Sequence, residues 1–132
     1  MGGVADYLLD THALLWWLFD DPQLSSAARQ AIAHPQHRLW VSAAPAWEIA
    51  TKARLGKLPE AGDVPARLEY YLRKARFADL AVTVGHGLRA GALPGPHRDP
   101  FDRMLMAQSL ATGYPLITVD PIFGEYGVAV LW

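Results

Sequence analysis

Short continuous apolar runs alternate along this chain with longer stretches whose apolar residues recur at helical spacing, the pattern of buried strands joined by helices. "ADYLLD" predicts a strand ending at Asp10, and "THALLWWLF" a helix with Thr11 as its cap. "SSAARQAIAHP" predicts a second short helix, opened by Ser25 or Ser26 and closed by Pro35. "RLWVS", from Arg38 to Ser42, is the second strand. "AAPAWEIATKARLGKL" runs on as a helix through about Leu55, with Gly56 as its stop and Trp47, Ile49, Ala50 and Ala53 as its buried stripe. Pro59 to Pro65 reads as a loop, "ARLEYYLRKARF" as an amphipathic helix, and "LAVTV" from Leu80 to Val84 as a third strand by its β-branched alternation. A short helix follows in "GHGLRAGAL", although the glycines around His86 read as a turn. "PGPHRDP" holds three prolines in seven residues and predicts an irregular loop, after which Pro100 or Asp102 opens the helix that carries Met104, Leu105 and Ala107. "PLITVD" and "VAVLW" complete the pattern as fourth and fifth strands.

Strands separated by helices imply parallel pairing, because parallel neighbours need a long crossover. The expected fold is α/β, with residues 1–132 in one domain around a central parallel sheet of four to five strands flanked by helices on both faces. Ligands bind beyond the carboxyl ends of the strands in such sheets. Asp10 ends the first strand and Asp120 the fourth, Glu48 lies a turn or so into the helix after the second, and Asp102 begins the helix that feeds the fourth. Four acids thus map to one edge.

Composition narrows what that edge can do. The chain has no cysteine, which excludes disulfides, thiolate zinc sites and a cysteine nucleophile, and suits a reducing compartment. A formal net charge of −1 excludes a polycation that coats nucleic acid unselectively and leaves room for a local basic surface. The most apolar early run is interrupted by Asp10 and His12, has no basic segment before it and is too short to span a bilayer. A cytoplasmic protein with no membrane association is expected.

Two carboxylates about 4 Å apart repel by roughly 4 kcal/mol at an effective dielectric near 20, a large share of a domain's stability of roughly 5–15 kcal/mol. Protonation, arginines or a divalent cation must neutralise them. Mg²⁺ and Mn²⁺ take oxygen ligands, some directly and some through water, which suits acids spread over four elements. A metal so held activates water and stabilises charge on a phosphate, so phosphodiester hydrolysis is the expected reaction class.

"LLDTHALLWWL", "SAAPAWEIATKARLGKL", "HRDPFDRMLMAQSL" and "LITVDPIFGEYGV" together resemble the PIN-domain ribonucleases, specifically the VapC-type toxins of toxin-antitoxin pairs. The blocks occur in the family's order and cover essentially the whole chain. The resemblance implies an endoribonuclease that uses one or two Mg²⁺ or Mn²⁺ ions and is neutralised by a cognate, VapB-like antitoxin. It also implies the site: Asp10, Glu48 and Asp102 as the family's first three acids, Asp120 as its less regular fourth, and Thr11 and Thr118 as flanking hydroxyls. Ala107 keeps the family's register with Asp102 and not with Asp99, which leaves Asp99 as a supporting residue or a helix cap. Arg98 and Arg103 are then available to offset acid charge or reach an RNA phosphate.

Each acid also has an ordinary use when taken alone: Asp102 as a helix cap, Asp10 and Asp120 as turn residues, Glu48 on an exposed helix face. His12 and His97 qualify only as hydrogen-bonding neighbours of the site, since no pair of histidines has ligand spacing. Lys52, Arg54 and Lys57 read either as a solvated face or as a basic rim for RNA, and no stacking aromatic stands out. Trp16 and Trp17, about 100° apart on their helix, suggest a homodimer contact or an antitoxin groove. Two rival readings stay open: a catalytically inactive module that only binds RNA or a partner protein, and a Mg²⁺ phosphohydrolase. The latter normally wants a second aspartate two residues after the first, where this chain has His12.

Overall fold

Leu8 and Leu9, adjacent in strand β1 (Asp6–Leu9), are both fully buried. Successive strand side chains point to opposite faces, and the two leucines accordingly enter different cores. Leu8 packs with Leu105, Met106, Leu116 and Phe123, and Leu9 with Leu14, Ile49 and Ile117. A strand covered on both faces belongs inside a helix-flanked parallel sheet, and the computed structural model, which describes residues 4–132, has that architecture. Residues 1–3, which the single-domain expectation also spans, lie outside the described residues.

The sheet has five strands in the order β3-β2-β1-β4-β5, every pair parallel. They are β1, β2 (Arg38–Ser42), β3 (Ala78–Leu80), β4 (Leu116–Ile117) and β5 (Val130–Leu131). The chain winds outward from β1 in one direction through β2 and β3, then in the other through β4 and β5. The gap between β1 and β4 is therefore the switch point, where such sheets open a crevice.

The helices are α1 (Thr11–Leu18), α2 (Ser26–Ala33), α3 (Ala43–Arg54), α4 (Val64–Ala75), α5 (Val84–Ala92), α6 (Pro100–Thr112) and α7 (Ile122–Glu125). Among the described residues none is long and apolar enough to cross a membrane. Several boundaries differ from the sequence expectation, each for a local reason. Asp10, not Thr11, caps α1, its side chain accepting from the Ala13 amide. Pro65 falls in the first turn of α4, where its missing N–H costs nothing. The third strand spans 78–80 instead of 80–84, because Thr83 caps α5 and His86 answers from its third position, completing a capping box. The glycines around His86 are thus helical, not a turn.

The buried face of α3 is Ala44, Pro45, Glu48 and Ile49. Trp47 and Ala50, expected in the buried stripe, face outward. A helix presents only one arc to its core, and here the arc includes a carboxylate. Trp16 and Trp17 are half-buried within the fold: the Trp16 ring lies 5.7 Å from that of Trp132, and Trp17 lies 6.5 Å from Phe77. Both indoles therefore find partners inside the chain.

Candidate active site

Asp10 lies at the end of β1, on the edge of the switch-point crevice, and only 7% of its surface is exposed. The Ala13 amide donates to Oδ1 at 2.8 Å and the Thr118 hydroxyl to Oδ2 at 2.5 Å. Burial pushes the carboxyl up from 3.8 to about 6, opposed by those two hydrogen bonds and by His12, and assisted by Asp102. Thr118 follows β4, so its hydroxyl ties together the two strand ends that flank the crevice. The same oxygen accepts the Asp120 amide at 3.0 Å.

Glu48 projects from the second turn of α3 and is buried, 7% exposed. Its Oε1 accepts the Thr11 hydroxyl and its Oε2 the Lys52 ammonium, each at 2.5 Å. Lys52 stands one helical turn later, the spacing at which acid and base meet, and the hydrogen bond to Glu48 raises its pKa. The exposed-face reading of Glu48 is thereby excluded.

Asp102, in the first turn of α6, is half-buried, and its Oδ2 meets His97 Nε2 at 2.8 Å. Burial raises its pKa, with Asp99 and Glu48 adding to the rise and the His97 hydrogen bond opposing it. Asp99 caps the helix, accepting the Asp102 amide at 3.0 Å. Asp120 is exposed and accepts the Ile122 amide at 3.0 Å, so it serves its turn as well as the rim.

Asp10, Glu48, Asp99, Asp102 and Asp120 line one cavity of about 490 Å³, together with Thr11, His12 and Lys52. The acids singled out from sequence thus share a site, built from the ends of β1 and β4, the second turn of α3 and the first turn of α6. They do not converge tightly: among the described residues no three His, Cys, Asp or Glu side chains are gathered as a metal-ligating group. Their oxygens instead engage Thr118, Thr11, Lys52 and His97. The donor set, hard carboxylate oxygens with hydroxyls behind them, suits Mg²⁺ or Mn²⁺, and the ionisable neighbours supply too little positive charge to offset five acids.

Arg103 departs from expectation. Its guanidinium donates to the carbonyls of Ala90 at 3.0 Å, His97 at 2.9 Å and Leu93 at 2.5 Å. It therefore neither offsets the acids nor is free for phosphate; it staples the loop before α6 to the end of α5. His97 takes the place expected of it, as a hydrogen-bonding neighbour of the site, whereas Lys52, expected on a solvated face or a basic rim, is instead the partner of Glu48. The i,i+4 spacing of Glu48 and Lys52 was a readable signal, whereas the approach of His97 depends on how the proline-rich loop folds back.

A family model described as the PIN domain matches residues 7–129. Ribonuclease VapC22 of Mycobacterium tuberculosis is 33% identical over 114 residues, covering 86% of this chain and 85% of that protein. Among solved structures, VapBC2 from Rickettsia felis bound to a DNA fragment from its promoter superposes with a TM-score of 0.71 at 14% identity, over 96% of this chain and 97% of the other. FitAcB from Neisseria gonorrhoeae gives 0.67 at 19% identity, covering 96% of each chain. A toxin-antitoxin complex from Klebsiella pneumoniae gives 0.66 at 18%, again over 96% of each.

Proposed function

This chain belongs to the PIN-domain family, and on that premise we propose that it is an endoribonuclease toxin of the VapC type, dependent on a divalent metal and silenced by a cognate antitoxin. One observation carries the reading: Asp10, Glu48 and Asp102, separated along the chain, meet in one cavity at the switch point of the sheet. The named ribonuclease relative supports the substrate class. Two of the solved neighbours, VapBC2 and the complex described as toxin-antitoxin, support a VapB-like partner.

Asp10, Glu48 and Asp102 are the residues that would hold one or two Mg²⁺ or Mn²⁺ ions, with Asp120 at the rim. A bound ion supplies Lewis acidity toward a phosphate oxygen and lowers the pKa of water for in-line attack. The protein's own contribution is placement. Thr118 and the Ala13 amide fix the rotamer of Asp10, Thr11 fixes Glu48, and His97 fixes Asp102. Lys52 holds a positive charge against Glu48 within reach of a polyanion. The same reading takes residues 1–132 as one domain and includes a homodimer, which sedimentation velocity checks.

The test is cleavage of end-labelled RNA with and without chelator. Cleavage is expected to stop in EDTA and return with Mg²⁺ or Mn²⁺. Asp10→Asn and Asp102→Asn are expected to lose at least about a hundredfold, since a metal site supplies several kcal/mol of transition-state stabilisation. Cleavage that survives chelation, or both substitutions, overturns the metal assignment. A folded protein that binds RNA and never cuts it points to the inactive binding module.

A further inference from the structure

A second cavity adjoins the acidic one across a shared wall. Trp47 precedes Glu48 on α3, Arg98 precedes Asp99, and Phe101 precedes Asp102 on α6. In each pair the second residue lines the acidic cavity and the first lines its neighbour, of about 470 Å³, walled further by Val82 and Met104. The Trp47 and Phe101 rings meet edge to face, with centroids 4.9 Å apart and planes inclined by 74°. Trp47 is 64% exposed, so most of a large apolar indole is turned to solvent on a helix that has a core face available. Arg98 at the rim is exposed and forms no ion pair among the described residues, unlike Arg103, whose nitrogens serve backbone carbonyls.

We propose that this cavity is a subsite for one unpaired nucleobase of the RNA strand, stacked against Trp47 and Phe101, with Arg98 on a flanking phosphate. The inference rests on the ribonuclease reading above and deepens it by naming what the strand needs beside the scissile bond. Every base has a π face, and aromatic platforms bind single strands through stacking with little sequence preference. Bases paired in a duplex are already stacked and cannot enter. An RNA nucleotide matches both features of the cavity, its base the aromatic wall and its phosphate the free guanidinium. A buried apolar side chain from a protein partner would match only the first. Because the three residue pairs straddle one ridge, a strand whose phosphate lies at the acids has its neighbouring base at Trp47.

The experiment measures equilibrium binding by fluorescence anisotropy in an Asp10→Asn background, so that RNA survives, with single-stranded and duplex RNA of equal length in Mg²⁺. Trp47→Ala and Phe101→Ala are expected to weaken single-strand binding about tenfold each, within the range of one stacked base, with duplex binding nearly unmoved. Trp47→Phe is expected to restore most of the loss, and Arg98→Ala to lower the salt slope by about one. In the cleaving parent, Trp47→Ala is expected to raise KM more than it lowers kcat. Trp47 is largely exposed, so its variants are expected to fold and remain informative if Phe101→Ala misfolds. Equal affinity of parent and Trp47→Ala overturns the subsite, as does an equal loss on duplex and single strand. Loss of antitoxin binding with RNA binding intact assigns the cavity to a protein and also overturns it. If the unaltered chain cuts no RNA with any divalent metal, the ribonuclease reading fails; if it cuts and Trp47→Ala cuts equally well below saturation, only the subsite fails.

Discussion

Asp10 is held in a place where its charge is costly. Its folded pKa, about 6, lies above the unfolded value of 3.8, so between these pH values the folded chain keeps a proton that the unfolded chain has lost. Stability from this group therefore falls as pH rises through that window. The full cost, on the order of 2–3 kcal/mol, is reached above pH 6. In chelating buffer Asp10→Asn is expected to raise the melting temperature at pH 8 by on the order of 5 °C, and to gain nothing near pH 3.5, below both values. The Asn side chain can still accept the Ala13 amide, so the α1 cap survives. Equal melting temperatures of parent and variant at pH 8 would show that Asp10 bears no such strain. Added Mg²⁺ is expected to stabilise the parent and not the variant, because only a ligand that favours the folded state raises its melting temperature. At Asp102 the His97 hydrogen bond opposes the upward shift. His97→Ala is accordingly expected to move the acid limb of the pH-rate profile to higher pH.

At the scale of elements, the loop between α5 and α6 sets the geometry of the site. Arg103 reaches back from α6 to carbonyls at the end of α5 and in the loop, and the Tyr126 hydroxyl accepts the His97 amide at 2.9 Å. Gly95 makes the arrangement possible. Its φ of +125° is a conformation that side chains rarely adopt, and a Cβ there would clash with the Tyr126 ring. Gly95→Ala is expected to cost about 1–3 kcal/mol and to depress cleavage, read together by urea unfolding and turnover. Arg103→Lys keeps the charge and loses the fork of donors, with an expected cost of about 2 kcal/mol. If Arg103→Lys unfolds like the parent, the staple contributes nothing.

At the scale of the whole molecule, β1 joins two cores, one on each face of the sheet. Leu8→Ala and Leu9→Ala each remove a fully buried side chain from a different face, and each is expected to cost about 2–5 kcal/mol. Both variants should nevertheless unfold in one transition, because the sheet transmits the loss from either face to the other. Two separated transitions in calorimetry would show that the cores are independent.

The sequence by itself determined the order of elements and the edge at which the acids emerge. Continuous apolar strands alternating with helices admit little besides a parallel sheet, and strand ends are marked by where apolar residues give way to Asp10 or to Thr118 and Asp120. Only the tertiary structure decided which arc of α3 is buried, because Glu48 and Trp47 compete for one face. The choice depends on Thr11 and Lys52 satisfying the carboxylate, partners that periodicity does not weigh. It likewise decided the task of Arg103, since a guanidinium binds whatever acceptors surround it and the loop carbonyls arrive from elsewhere in the chain. Local periodicity is written into neighbouring residues, whereas the pairing of polar groups across the fold follows from distances that exist only once the chain has closed.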